Sequence, residues 1–321
     1  MDAGQFSMDP GTLLLLIQQI CQKLRRNYIF PEIAEKICAN LENQFEGEVY
    51  KDINEAEFLA FALTTHLQEI NHDRHLWLRW HPEPIPGAED VLHQNVEWLA
   101  DQKQKAQSEN YGFRKIEILP GNIGYLVIER FQRLEWAKQR AVATLNYLAE
   151  VGALIIDLQH CEGGHPDMVT FFCSHFFSKE PVQLHSIYWR DVDQLQEYWT
   201  SAEIPGPRLE RVPLFLLIGH DTFSAAEGFA SDLKTHQRAT LIGDTTYGGA
   251  HPGTSFRVNS HFELFIPIGK ALDPLTGQNW EGTGITPHIT VPGEEALQVA
   301  HQLALETAIH DPHGPLPSTR A

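Results

Sequence analysis

The stretch Pro213–Gly243, PLFLLIGHDTFSAAEGFASDLKTHQRATLIG, changes texture three times. An apolar run, Pro213–Gly219, reads as a buried strand. A polar turn, His220–Phe223, follows it. From Ser224 to Thr235 the apolar residues recur at helical spacing, and Ala239–Gly243 reads as a second apolar strand. Short apolar strands separated by helices are the pattern of a sheet covered on both faces.

The same texture continues outward from this stretch. Upstream, Ile123–Phe131 and Ala153–Leu158 read as strands, with helices over Leu134–Glu150 and Asp167–Phe177. Downstream, His261–Ile268 and Thr286–Val291 read as strands before a closing helix, Glu294–Ile309. The first part of the chain differs. Leu13–Asn27, Pro31–Phe45 and Asn54–Ile70 each carry apolar residues at helical spacing, with Asn54 as a candidate N-cap three residues before Glu57. His81–Gly87, with three alternating prolines, is a loop, and a polar helix is expected from Asp90 to about Ser108. The organisation predicted is a helical bundle over residues 1–80, a linker and polar helix over 81–110, an α/β core over 111–310, and a disordered tail over 311–321.

Composition narrows the partners. The net charge is −18, which disfavours a nucleic-acid backbone or an anionic membrane surface, since both select basic footprints. No apolar run approaches 18 residues, so no membrane span is expected. The short run Leu13–Ile17 follows Asp2 and Asp9, where a signal peptide would carry basic residues, and a cytoplasmic location is expected. Cys21, Cys38, Cys161 and Cys173 match no zinc spacing and read as reduced, buried thiols. The cluster His160, Cys161, His165, Cys173 and His175 likewise matches no ligand pattern, so no metal and no organic cofactor is expected.

Four local features carry possible chemistry. Ser224 opens a helix after a tight turn, where the helix dipole favours negative charge and the Ala225 amide can donate to an oxyanion. The same residues, Ser224-Ala225-Ala226-Glu227, also read as a capping box in which Ser224 only caps the helix. Gly163-Gly164 lies between a buried strand and a helix. Its backbone amides can point into a cleft, or the pair can simply make a tight turn. His75 ends the helical part of the chain, in His72-Asp73-Arg74-His75-Leu76, and Glu281 stands on a glycine-flanked loop, Asn279–Pro287. Alone, each of these two is a junction residue.

In combination they resemble the C-terminal-processing and tricorn-core serine peptidases. The resemblance rests on Thr222–Glu227, on Arg238–Pro252, and on the segments around His75 and Glu281, and it covers about residues 12–80 and 121–305. Within the family the chain looks most like the branch that holds the interphotoreceptor retinoid-binding protein modules. The resemblance implies an α/β (α+β) fold, a crotonase/ClpP-like core beneath an N-terminal helical bundle. It also implies Ser224 as nucleophile, His75 as general base and Glu281 as the orienting acid, with an oxyanion hole from Gly163 or Gly164 and Ala225. The family's Ser–Lys members carry a Gly-Lys-Gly turn, where this chain has Tyr247-Gly248-Gly249-Ala250, so a Ser–Lys mechanism is not expected. His251 is the competing base, and the separation between His75 and Gly121 leaves no room for a PDZ domain.

The function expected is therefore hydrolysis of a peptide or unfolded-protein substrate. Two alternatives stay open. One is a serine esterase or amidase using the same residues. The other is a non-catalytic module binding an apolar, retinoid- or fatty-acid-like ligand against Phe171, Phe172, Phe176, Phe177, Tyr188, Trp189 and Trp199.

Overall fold

The computed structural model describes residues 8–310, so the tail expected over 311–321 lies outside the described residues. In chain order the helices are α1 (Pro10–Asn27), α2 (Pro31–Glu46), α3 (Ala56–Gln68), α4 (Val96–Ser108), α5 (Leu134–Tyr147), α6 (Pro166–Cys173), α7 (Ala225–Thr235) and α8 (Gly293–His310). The strands are β1 (Trp77–Trp80), β2 (Phe113–Leu119), β3 (Ile123–Ile128), β4 (Ala153–Asp157), β5 (Gln183–Trp189), β6 (Gln194–Trp199), β7 (Leu214–Ile218), β8 (Thr240–Gly243), β9 (Gly253–Arg257), β10 (Phe262–Pro267), β11 (Gly269–Leu272) and β12 (Ile289–Thr290). Two compact units result. One comprises the chain up to Gln102 with Tyr188–Leu195 and His251–Ala271, and the other comprises the remainder.

The first unit begins with three amphipathic helices. Asp9 caps α1 by accepting the amides of Gly11 (2.9 Å) and Thr12 (3.1 Å), and Pro10 occupies the first turn, where its missing N–H is no loss. α2 likewise opens on a proline, Pro31. α3 departs from expectation. It starts at Ala56, and its cap position falls on Glu55, which makes no side-chain cap bond, rather than on Asn54. Burial of Ala56, Leu59, Ala60, Leu63 and Leu67 holds this helix instead, since packing of an apolar face outweighs a single cap. Leu16, Ile17, Ile20 and Leu24 of α1 meet Ile37 and Leu41 of α2 in one core. The antiparallel sheet β1-β10-β9 joins that core through Leu78, Phe256, Phe262 and Leu264, with Trp77 paired to Phe265.

The second unit is built on a six-stranded sheet in the order β12-β8-β7-β4-β3-β2. The pairings from β3 to β12 are parallel, and β2 closes one edge as an antiparallel hairpin with β3. All of β7 and the first four residues of β4 are buried, the signature of a sheet covered on both sides. One face receives α8, whose Ala296, Ala300 and Ala304 sit against Ile155, Phe215, Leu217 and Ile242. Elsewhere the rings of Phe172, Phe176 and Phe229 interlock, with Phe131 against Phe172 and Phe229, so Phe172 and Phe176 are core. Arg238, between α7 and β8, ties the segment after α6 to the approach to β7. Its Nε donates to the Phe176 carbonyl (2.6 Å), and its Nη2 donates to those of Leu209 (2.6 Å) and Val212 (2.7 Å).

No described helix is long and apolar enough to cross a membrane. All four cysteines are buried thiols.

Candidate active site

Parallel strands deliver the loops that follow them to one end of the sheet, which is where α/β folds place their ligands. β4 and β7 are neighbours, so the loop Leu158–Gly164 and the turn His220–Ser224 emerge side by side. Two bonds join them, and a third braces the turn itself. The Thr222 hydroxyl donates to the Leu158 carbonyl (2.8 Å) and accepts the Gly219 amide (2.9 Å), while the Phe223 amide donates to the Cys161 carbonyl (3.0 Å). Tyr247, after β8, donates its amide to Thr222 (3.0 Å) and sets its ring against that of Phe223.

Ser224 stands at the head of α7 with φ +57° and ψ −123°. An N-cap residue normally has extended backbone angles, so capping alone does not account for this conformation. A non-glycine residue held there costs about 1–3 kcal/mol, and such strain gathers at functional turns. Beside it, Gly163 has φ +90°, and a β-carbon there would lie 2.7 Å from Ser224 Cβ and 2.8 Å from the Ala225 nitrogen. Gly164, at φ +137°, is pressed on the Phe131 backbone, where a β-carbon would meet the carbonyl oxygen at 2.0 Å. Only glycine allows this approach. The structure thus brings four of the expected residues together in the second unit: Ser224, Ala225, Gly163 and Gly164.

Behind the turn lies Glu227, fully buried. Its carboxylate accepts the Ser224 amide (2.8 Å), the Thr246 hydroxyl (2.6 Å) and the amides of Gly248 (2.7 Å) and Gly249 (2.8 Å). Burial pushes this carboxyl above its usual range, against the pull of those four bonds. Glu281 holds the next residue of the same loop by accepting the Ala250 amide (2.5 Å), and the Trp280 indole donates to the Gly249 carbonyl (2.9 Å).

His75 belongs to the first unit. Its ring is buried and stacks on Phe265, with centroids 6.0 Å apart. Burial lowers its pKa to about 4, with the His251 charge adding to the drop and Asp73 opposing it, so the imidazole is neutral at neutral pH. Asp73 is fully buried and gathers three donors: the His75 amide (3.1 Å), the Tyr28 hydroxyl (2.8 Å) and Nδ1 of His251 (2.9 Å). Burial alone would raise its pKa, but its bonds to His251 and Tyr28 and the charges of both histidines hold it below the usual value. Sequence reasoning quoted Asp73 but gave it no role, and it treated Glu227 only as half of a cap. The available signal for Asp73 was its place two residues before His75.

The chain belongs to peptidase family S41, whose model matches residues 122–291. A second model, the N-terminal domain of the S41 peptidase in eukaryotic IRBP, matches residues 12–114. The carboxy-terminal-processing protease of Bartonella bacilliformis is 26% identical over 175 residues, which is 53% of this chain and 39% of that protein. The chloroplastic carboxyl-terminal-processing peptidase 1 of Arabidopsis thaliana is 25% identical over 180 residues, covering 56% and 35% respectively. These matches span well under half the length of the relatives. Among solved structures, a lipoprotein from Streptococcus agalactiae superposes with a TM-score of 0.60 at 14% identity, over 96% of this chain and 100% of its own. The tricorn protease superposes at 0.55 and 11% identity, over 93% of this chain and 37% of its own. At these identities the structural likeness speaks for the fold alone.

Proposed function

We propose that the protein is a serine peptidase in which Ser224 attacks the substrate carbonyl, His75 takes its proton and Glu281 completes the polar set. The observation behind this reading is the Ser224 turn. A strained serine heads a helix, the first-turn amide of Ala225 has no partner within that helix, and a double-glycine loop lies against it. Attack makes a tetrahedral oxyanion. The amides of Ala225 and of Gly163 or Gly164 are the donors proposed to hold it, and losing one such donor typically costs about a hundred- to a thousandfold in rate. A serine hydroxyl needs a base that is unprotonated at working pH, and burial keeps His75 in that form. Family membership supports the peptidase class, and the similarity to carboxy-terminal-processing proteases suggests a peptide or unfolded-protein substrate.

A fluorophosphonate probe tests the reading. Wild-type protein should be labelled once, at Ser224, and should cleave an unfolded protein, and Ser224→Ala should do neither. Labelling with hydrolysis of small esters alone would move the activity to an esterase. Absence of labelling together with saturable binding of retinol or a fatty acid would replace the peptidase by the binding module.

A further inference from the structure

A helix cap requires one bond from Glu227, the one to the Ser224 amide. The other three come from Thr246, Gly248 and Gly249, which lie 19 to 22 residues further along the chain. Four donors fill the four lone-pair directions of an ionised carboxylate, so the ionised group has no accepting capacity left. One of those donors belongs to Ser224, the residue with the positive φ, and the others belong to a loop that the relaxed turn would not need. Strained backbone persists only where its surroundings over-determine it.

We propose that Glu227 is the positioning residue of the nucleophile: it keeps the Ser224 turn in its strained form and locks it to the Thr246–Gly249 loop. The inference rests on Ser224 being the nucleophile. Glu227 touches no reacting atom, and it acts by fixing where the Ser224 hydroxyl and the Ala225 amide stand.

Glu227→Gln tests this, because the amide nearly preserves shape while turning an –NH2 toward two of the four donors, so the pair that met that oxygen loses its acceptor. The rate constant for fluorophosphonate labelling of Ser224 should fall about a hundredfold, the scale of a small misplacement of reacting groups. Labelling should still reach one probe per chain, and kcat should fall with KM nearly unchanged. Amide exchange read by mass spectrometry should quicken over Ser224 and Gly248–Gly249 and stay as in wild type over β3 and β4. A merely structural role predicts the reverse, an incomplete labelling endpoint with an unchanged rate constant, and that result overturns the proposal. Should E227Q fail to fold, Thr246→Val removes one donor and carries the same comparisons, with a loss of about tenfold expected. Wild-type protein that no probe labels sinks the nucleophile reading instead. The exchange comparison still decides on Glu227 in that case, since unchanged exchange over Ser224 overturns its role.

Discussion

Two substitutions at Ser224 separate chemistry from conformation. Ser224→Ala should lower turnover by about a thousandfold or more while leaving the backbone strained. Ser224→Gly should be equally inactive yet more stable than the alanine variant by about 1 kcal/mol, because glycine adopts φ +57° without penalty. Equal melting of the two variants would mean that the turn stores no strain. His75 makes a pH prediction. A base must be unprotonated, and the folded pKa is about 4, so the labelling rate should hold as pH falls through 6 and decline only near 4. A decline centred near 6.5 would assign the base elsewhere. Turnover kept in His75→Ala but lost in His251→Ala would hand the role to His251. At this scale the turn that carries Ser224 was legible, because strand, turn and helix start sit within a dozen residues. The Asp73–His251 bond was not, since its partners are 178 residues apart and no local pattern reports a buried carboxylate's distant donor.

The elements that frame the turn depend on backbone more than on side chains. Gly164→Val should abolish labelling in a protein that still folds, because the new side chain meets the Phe131 carbonyl where β-carbon atoms do not fit. Gly163→Ala should act similarly by pushing on Ser224 itself. Full labelling in either folded variant would remove the loop from the site. Helix α2 and strands β4, β7 and β8 were readable to within about a residue, as each is a plain apolar run or a helical stripe, whereas α1 starts at Pro10, three residues before the expected Leu13, because Asp9 caps it ahead of the apolar stripe. β2, β5, β6, β9 and β11 were not expected. β6, QLQEYW, is mostly exposed, and β9, GTSFR, carries little apolar alternation. Such strands owe their existence to remote pairing partners rather than to their own pattern.

At the scale of the whole molecule, His75 adds a pH-dependent contribution to stability whose direction its lowered pKa fixes. The unfolded chain protonates this histidine below its ordinary value of 6.5, whereas the folded form stays neutral to about 4. Between those values the unfolded state binds more protons, so stability contributed by this residue is lost as pH falls from 6.5 toward 4. Urea titrations of wild type and His75→Gln across that window should converge if the account holds. Arg238 gives a second test. Three carbonyls lose their donor in Arg238→Ala, and a loss of about 3 kcal/mol or more is expected in the same titration. The order of the parallel sheet was legible only as a class, since the alternation of strands and helices announces a covered sheet without saying which strands are neighbours.

The alanines of α8 bear on how the second unit is made. Synthesis runs from the N-terminus, and the sheet face formed by Ile155, Phe215 and Leu217 precedes its cover by about eighty residues or more. A ribosome therefore releases the strands that carry this face, β3, β4, β7 and β8, before Ala296, Ala300 and Ala304 emerge to cover them. Until then the nascent chain carries a sticky apolar surface of the kind that general chaperones hold. A translational pause ahead of Gly293 would lengthen that exposure, whereas one after Ala304 would not.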